Sequence, residues 1–324
     1  MKKIFKILPL FLVVSLTACS EHYVDTLFCF DTVVTVKTKG NRGYSGQATQ
    51  GETCQIIKEF DALSDAYKKR DVTSIYDLNS TNEKLEISEE LYNLLYTANE
   101  LKAVGTYFNP LIGSLSNKWK DALSKNEILS ETVVQEELTK INNSSLTLEI
   151  NEDKYYAQRT GEALIDVGAI AKGYTLDKCE EYLRGHTDSD HEYMIDAGNS
   201  SILLGANGGS TFGVHIKDLS KPTHLKLKDC FISSSGTSEQ GVKIGEVTYS
   251  HIINPNDGSA INLYDAVIVV SSNTIGNGAL GDVLSTSFMM SSLEEIKETE
   301  KNTGVNVLVI KDDNIVYSSE SLKL

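Results

Sequence analysis

The sequence contains no apolar run long enough for a membrane-crossing helix: the stretch from Ile7 to Leu16 is about ten residues, against the roughly 20 needed to span a bilayer core. It also lacks a C-x-x-C pair. Its five cysteines, Cys19, Cys29, Cys54, Cys179 and Cys230, are scattered, which argues against a zinc site or a thioredoxin-like centre and leaves any disulfide pairing unassigned. A basic excess is missing too. The formal net charge is −15, spread along the chain, so nucleic acid is not an expected partner. A body this acidic can still bind a diphosphate if a cation and local backbone donors neutralise it. No repeat of solenoid length and no linker-like composition divides the chain.

What is present begins with Lys2, Lys3 and Lys6 ahead of the apolar stretch, which closes on Leu16-Thr17-Ala18-Cys19. That order is the layout of a lipoprotein signal peptide ending in a lipobox. We therefore expect residues 1–18 to be removed, Cys19 to carry the lipid, residues 19–26 to form a short tether, and residues 27–324 to fold as one unit. The protein would then be extracytoplasmic and lipid-anchored to the cell membrane. About 300 residues can bury a large core without stapling.

Phe28 to Lys37 is rich in β-branched residues and reads as a strand; Gly40 to Gly51 reads as a turn. Cys54, Ile57, Phe60, Leu63 and Tyr67 recur at helical spacing, as do Leu91, Leu94, Leu95, Ala98 and Leu101, with a polar connection between them. A further helix begins near Pro110. A short strand at Ala163–Val167 leads into a helix over Ile170–Leu183. The second half alternates short β-rich runs with Gly, Asn, Asp and Ser, then carries helices over Asn277–Met290 and Leu293–Lys301 and strands near Val305 and Ile315. The fold class is α+β, with largely antiparallel strands and helices grouped beside them.

Four segments carry candidate chemistry. Asp166 to Gly173 sets a carboxylate at a strand end, small residues in a turn and Lys172 in the first turn of a helix. That arrangement suits a phosphate, although it matches neither the G-x-x-x-x-G-K-[ST] nor the G-x-G-x-x-G spacing. Asp282 and Thr286, four apart on a helix, suit a hard cation such as magnesium; they equally suit a helix cap and a bond back to the backbone. His251 runs into a turn marked by Pro255 and Gly258, where it can serve as a base or as a structural group. Phe108-Asn109-Pro110, with Trp119 beyond, can line a pocket for a flat ligand or pack a helix start.

Taken in order, these segments resemble the ApbE family of FAD:protein FMN transferases. The family's F-D-P-x-x-G, D-x-G-G/A-I-A-K-G, A-G-G-D-like, T-S-G, H-I-I-D-P-x-x-G and A-D-x-x-A-T motifs stand here at Phe108–Gly113, Asp166–Gly173, Ala197–Ser200, Ser234–Gly236, His251–Gly258 and Gly281–Thr286. The resemblance starts with the Phe30-Asp31-Thr32 strand and covers nearly all of the mature chain. It implies a T-fold-like α+β body around a deep FAD cleft.

The same resemblance implies Mg2+ beside the diphosphate of FAD, which is the substrate. Its ligands would be the Asp282 carboxylate, the Thr286 hydroxyl and the Ala169 carbonyl. Phe30, Tyr67, Phe108, Asn109, Asp166, Lys172 and Ile253 would contact flavin or nucleotide, and His251, Asp282 and Lys172 would be catalytic. The implied reaction moves FMN onto a Thr or Ser hydroxyl of exported FMN-binding acceptor proteins of electron-transfer systems and releases AMP. Alternatives are a magnesium-dependent FAD diphosphatase and a non-catalytic FAD-binding lipoprotein. Asn109 and Asn254 depart from the family's acids, as Asn199-Ser200 departs from Gly-Asp; Gly281 and Ser285 are small replacements for alanines.

Overall fold

The computed structural model describes residues 22–39, 46–186, 192–206, 211–216, 219–221, 223–237 and 241–322. The expected signal peptide and the expected lipidation site at Cys19 lie outside these residues. Among the described residues, no helix is long and apolar enough to cross a membrane.

The chain opens with a hairpin of β1 (His22–Cys29) and β2 (Thr32–Lys39), then α1 (Gly46–Ser64) and the short α2 (Ile75–Asn79). A smaller module follows: β3 (Leu85–Ile87), α3 (Glu89–Leu101), α4 (Gly113–Ser124), α5 (Glu131–Asn142) and the hairpin β4 (Ser145–Asn151) and β5 (Lys154–Thr160). Then come α6 (Ala171–His186), β6 (Glu192–Ala197), β7 (Ser201–Ala206), β8 (Phe212–Ile216), β9 (Thr223–Leu227) and β10 (Cys230–Gly236). After β11 (Val242–Ile244) and β12 (Val247–Tyr249), the chain ends with β13 (Ala266–Ser272), α7 (Asn277–Phe288), α8 (Leu293–Thr303), β14 (Asn306–Lys311) and β15 (Asn314–Ser318).

Eight strands form one antiparallel sheet in the order β1-β2-β6-β7-β10-β13-β14-β15, and β3-β5-β4 make a second. Val34, Val36, Ile195, Leu203 and Phe231 bury one face of the large sheet against Ile57 of α1 and Leu176 and Leu183 of α6. Val267, Val269, Val307 and Val309 meet Leu284 and Phe288 of α7. The opposite face of the same strands, through Ile268, Val270, Leu308 and Ile310, takes Ile216 and Leu225 of the β8–β9 ribbon. Both faces of β13 and β14 are therefore covered, which is why they read as unbroken apolar runs rather than alternating ones.

Several boundaries differ from the sequence expectation for identifiable reasons. Residues 22–26, read as tether, belong to β1, which pairs residue by residue with β2 from His22↔Lys39 to Cys29↔Thr32. The single strand Phe28–Lys37 is thus a hairpin, turned at Phe30 and Asp31, both at φ 55. Neither is glycine, so the left-handed backbone is unfavourable by about 1–2 kcal/mol per residue; the Phe30 N–H donating to Asp61 Oδ1 at 2.6 Å holds the turn from outside. Within the expected Gly40–Gly51 turn, residues 46–51 are already helical and the rest lie outside the described residues. Tyr67 falls beyond α1, where Asp65 Oδ1 accepts the N–H groups of Tyr67 and Lys68 and re-aims the chain.

Ala163–Val167 joins no sheet. Its backbone groups are met piecemeal: Asn79 Nδ2 donates to the Ile165 carbonyl at 2.9 Å and Asn79 Oδ1 accepts its N–H at 2.8 Å, Asp166 N donates to Pro110 O, and Gly113 N donates to Leu164 O. An amide side chain, the Pro110 carbonyl and the first N–H of α4 replace a neighbouring strand, and they tie the segment to the start of α4.

Candidate active site

The extended segment ends at Asp166, whose Oδ1 accepts the Gly168 N–H at 2.8 Å and so folds the turn that starts α6. Lys172 is in the first turn of that helix. The next residue, Gly173, donates its N–H to Asp282 Oδ2 at 2.6 Å, while Asp282 Oδ1 accepts from Ser201 Oγ and Ser233 Oγ, both at 2.8 Å. Asp282 is 5% exposed, and burial pushes its carboxyl pKa up; the Lys172 charge and these three hydrogen bonds oppose that rise. Burial also raises Asp166, against the Gly168 N–H and the Lys120 charge.

α6 and α7 meet at backbone distance. A Cβ on Gly173 would come within 2.1 Å of the Gly278 carbonyl oxygen, and one on Gly278 within 2.4 Å of the Gly173 oxygen. Asp177, one turn along α6, caps α7: its Oδ1 accepts from Gly276 N and Gly278 N, and its Oδ2 from Ala279 N. Asp282 is thereby fixed against the start of α6, one layer below the cavity described next.

A cavity of about 270 Å³ opens over this junction, with Phe108, Asn109, Asp166, Ala169, Lys172, His251, Ile253 and Thr286 among its walls. A second, of about 160 Å³, is lined by Phe30, Tyr67 and Arg70 and shares Asp166, Gly168 and Lys172 with the first. The seven residues expected to touch flavin or nucleotide thus all face one cleft of two lobes joined at Lys172. Thr286 and Ala169 line the larger lobe; Asp282 does not. Among the described residues, no group of three or more His, Cys, Asp or Glu side chains is arranged to hold a metal.

His251 is exposed at the cavity wall, on a loop that is zipped shut. Ser250 N donates to Ala260 O, Asn254 N to Ser259 O, and Gly258 N to Asn254 O. Trp119 of α4 pins this loop, donating Nε1–H to the Gly258 carbonyl at 2.9 Å and stacking on Tyr249. Gly258 has φ +74, and a Cβ there would meet Val134 at 2.3 Å.

The acid-to-amide departures leave the turns intact. Asn109 Oδ1 accepts the Leu111 N–H at 3.0 Å and Asn254 Oδ1 accepts the Asn256 N–H at 2.9 Å. An amide oxygen performs this turn-forming role as a carboxylate would, without its charge. Asn199 sits at φ 58 beside Gly198, whose Cβ would strike Thr32 at 2.4 Å, so that turn needs its glycine.

Comparison with known proteins fits this geometry. The sequence model of the ApbE family matches residues 30–309. The chain belongs to the ApbE family. A FAD:protein FMN transferase of Rhodobacter capsulatus is 21% identical over 95% of this chain, which spans only 59% of that relative's length. One from Klebsiella pneumoniae is 24% identical over 84% of this chain and 85% of its own. The crystal structure of the ApbE protein of Thermotoga maritima superposes with a TM-score of 0.77 at 19% identity, covering 93% of this chain and 98% of its own. That likeness establishes the fold as the family's mixed helix and antiparallel sheet.

Sequence reading missed Ser201 and Ser233, the two hydroxyls that hold this ApbE-family chain's Asp282. Both are buried, at 1% and 2% exposure, Ser201 at the head of the apolar strand β7 and Ser233 where β10 passes from Cys230-Phe231-Ile232 into a run of three serines. A polar residue in a covered strand was the available signal. The four cysteines within the described residues, Cys29, Cys54, Cys179 and Cys230, are buried free thiols; burial pushes Cys54 up to about 11 and Cys230 to about 12.

Proposed function

We propose that this chain transfers the FMN half of FAD to a Thr or Ser hydroxyl of an exported acceptor protein and releases AMP. The observation that carries the reading is the convergence of Lys172, His251 and Thr286 on one cavity, with the buried Asp282 carboxylate fixed directly beneath it. The flavin and adenosine ends of FAD would lie in the two lobes, with the diphosphate at their junction beside Lys172. The name FAD:protein FMN transferase, carried by relatives from two organisms, supports the same substrate.

Transfer requires a hydroxyl oxygen to attack the flavin-side phosphorus as the bond to the AMP phosphate breaks. His251 at the open wall would take the hydroxyl proton. Lys172 would stabilise the charge on the diphosphate oxygens as it shifts to AMP. Asp282, Thr286 and the Ala169 carbonyl would be the residues that hold magnesium, whose preference for hard oxygen donors they suit; Thr286 and Ala169 line the larger lobe, and Asp282 lies behind it, bonded to Gly173 N, Ser201 and Ser233. The buried Asp282, short of a full counter-charge, is the group such a cation would relieve. When bound, magnesium supplies Lewis-acid neutralisation of the diphosphate.

The lipobox at Cys19 supports an extracytoplasmic site of action, on the membrane face where exported flavoproteins would be met. The test is to incubate the chain with FAD and magnesium, with and without a Thr-bearing acceptor. AMP release that requires the acceptor supports transfer; equal release without it, and no covalent flavin, identifies a diphosphatase and overturns the reading.

A further inference from the structure

Outside the cleft, the fold brings two imidazoles into register. β8 and β9 form a two-stranded antiparallel ribbon in which His215 pairs directly with His224. Both side chains are exposed, with ring centroids 4.9 Å apart and planes inclined at 41°. The other face of the ribbon is anchored. Ile216 and Leu225, 2% and 1% exposed, pack with Leu204, Ile232 and Leu308 of the large sheet. The backbone beneath the histidines is therefore clamped to the core, and the pairing of His215 with His224 cannot change without a register slip that would expose Ile216 and Leu225.

We propose that His215 and His224 form a two-histidine site for a divalent transition-metal ion on the outer face of this ribbon. Bonds of about 2.0–2.1 Å to a tetrahedral ion bring two imidazole nitrogens to about 3.3 Å, which rings at this spacing can reach by rotating about their side-chain torsions. The next pair along the ladder on this face is Gly213↔Lys226. An ideal Cβ on Gly213 would meet nothing within 4 Å, so the ion's remaining positions have room for water. Lys226 is exposed and its repulsion is screened by salt.

Imidazole selects Cu2+, Ni2+ and Zn2+, with Cu2+ bound most tightly, whereas Mg2+ prefers oxygen. The site is thus chemically distinct from the oxygen set at Asp282, and no residue of the ribbon lines either lobe of the cleft. It stands or falls independently of the flavin reading.

The experiment is calorimetric titration of the untagged full chain with Cu2+ and with Zn2+ in excess Mg2+, alongside the electron paramagnetic resonance spectrum of the copper-loaded protein. The expected result is saturable binding, Cu2+ tighter than Zn2+, and a copper spectrum with two coupled nitrogens. His215→Gln and His224→Gln should each weaken binding about tenfold or more, because either loses the chelate, and the double variant, with no imidazole left on the ribbon, should lose binding at this site altogether. FMN transfer should be unchanged in all three. Absence of saturable binding, single variants within about twofold of the wild type, or a copper spectrum with one nitrogen would overturn the proposal.

Discussion

At the scale of single residues, Asp282 is held by three donors in a setting that disfavours its charge, so its ionised form depends on the groups around it. Asp282→Ala would leave Ser201, Ser233 and the Gly173 N–H without their acceptor and remove the charge below Lys172. We expect metal-dependent AMP release to fall by at least about 100-fold, with circular dichroism checking that the fold survives. Unchanged turnover would refute the assignment. Asn109→Asp changes only the charge, because a carboxylate oxygen can accept from Leu111 N as the amide does. Its stability should stay within about 0.5 kcal/mol of the parent, while FAD binding becomes more dependent on magnesium in equilibrium titrations. Most of these residues were legible because they are chemically distinctive and sit in motif order. Ser201 and Ser233 were not, since a buried serine reads like any other until the acid it serves is located.

At the scale of elements, the α6–α7 junction determines where Lys172 and Asp282 stand. Gly173→Ala puts a methyl against a backbone carbonyl at 2.1 Å, where neither helix can yield alone, and should destabilise the chain by about 3 kcal/mol or more in denaturant melts. Gly51→Ala is the control: its Cβ would meet nothing within 4 Å in α1, and it should stabilise by about 0.5–1 kcal/mol. The capping acid of this junction adds a pH signature. Burial pushes Asp177 up from 3.8 to about 6. The folded chain therefore binds this proton more tightly than the unfolded chain. Its contribution to stability is complete below about pH 4 and is lost as pH rises through about 6, by at most about 3 kcal/mol. Asp177→Asn should flatten the fall in melting temperature across that window; an unaltered slope would contradict the assignment.

Helices α1 and α3 were readable because one face of each repeats apolar residues at helical spacing, Cys54, Ile57, Phe60 and Leu63 in the first and Leu91, Leu94, Leu95 and Ala98 in the second. The α5 helix and the β4–β5 hairpin were not read. β4 does carry the polar–apolar alternation of a half-buried strand, Ser145-Leu146-Thr147-Leu148-Glu149-Ile150-Asn151, but its turn uses Glu152-Asp153 at positive φ, so no glycine marks the hairpin. Ala163–Val167 looked like a strand because its residues suit one, yet its pairing comes from Asn79 and from the loop at Pro110, which no local pattern encodes.

At the scale of the whole molecule, α1 and α7 link the two parts: Ile57, Leu284 and Phe288 pack on the large antiparallel sheet while Phe60, Leu63, Ala279 and Val283 enter the core of the smaller α/β module, and residues of both parts line the cleft. Phe108, Ile165, Ile253 and Val283 belong to a single cluster that spans α3, α4 and α7. Pieces from widely separated stretches, Phe30 in one lobe and Thr286 in the other, thus line the two adjoining lobes without any one stretch forming a site alone. The family's motif order made that assembly legible in advance, whereas the two-lobed shape and the zipped His251 loop came only with the fold. The most direct test is the intact mass of an exported Thr-bearing acceptor after incubation with the chain, FAD and magnesium. The account predicts a gain of one FMN on a Thr or Ser, matched by AMP; an acceptor of unchanged mass while FAD is consumed would contradict it.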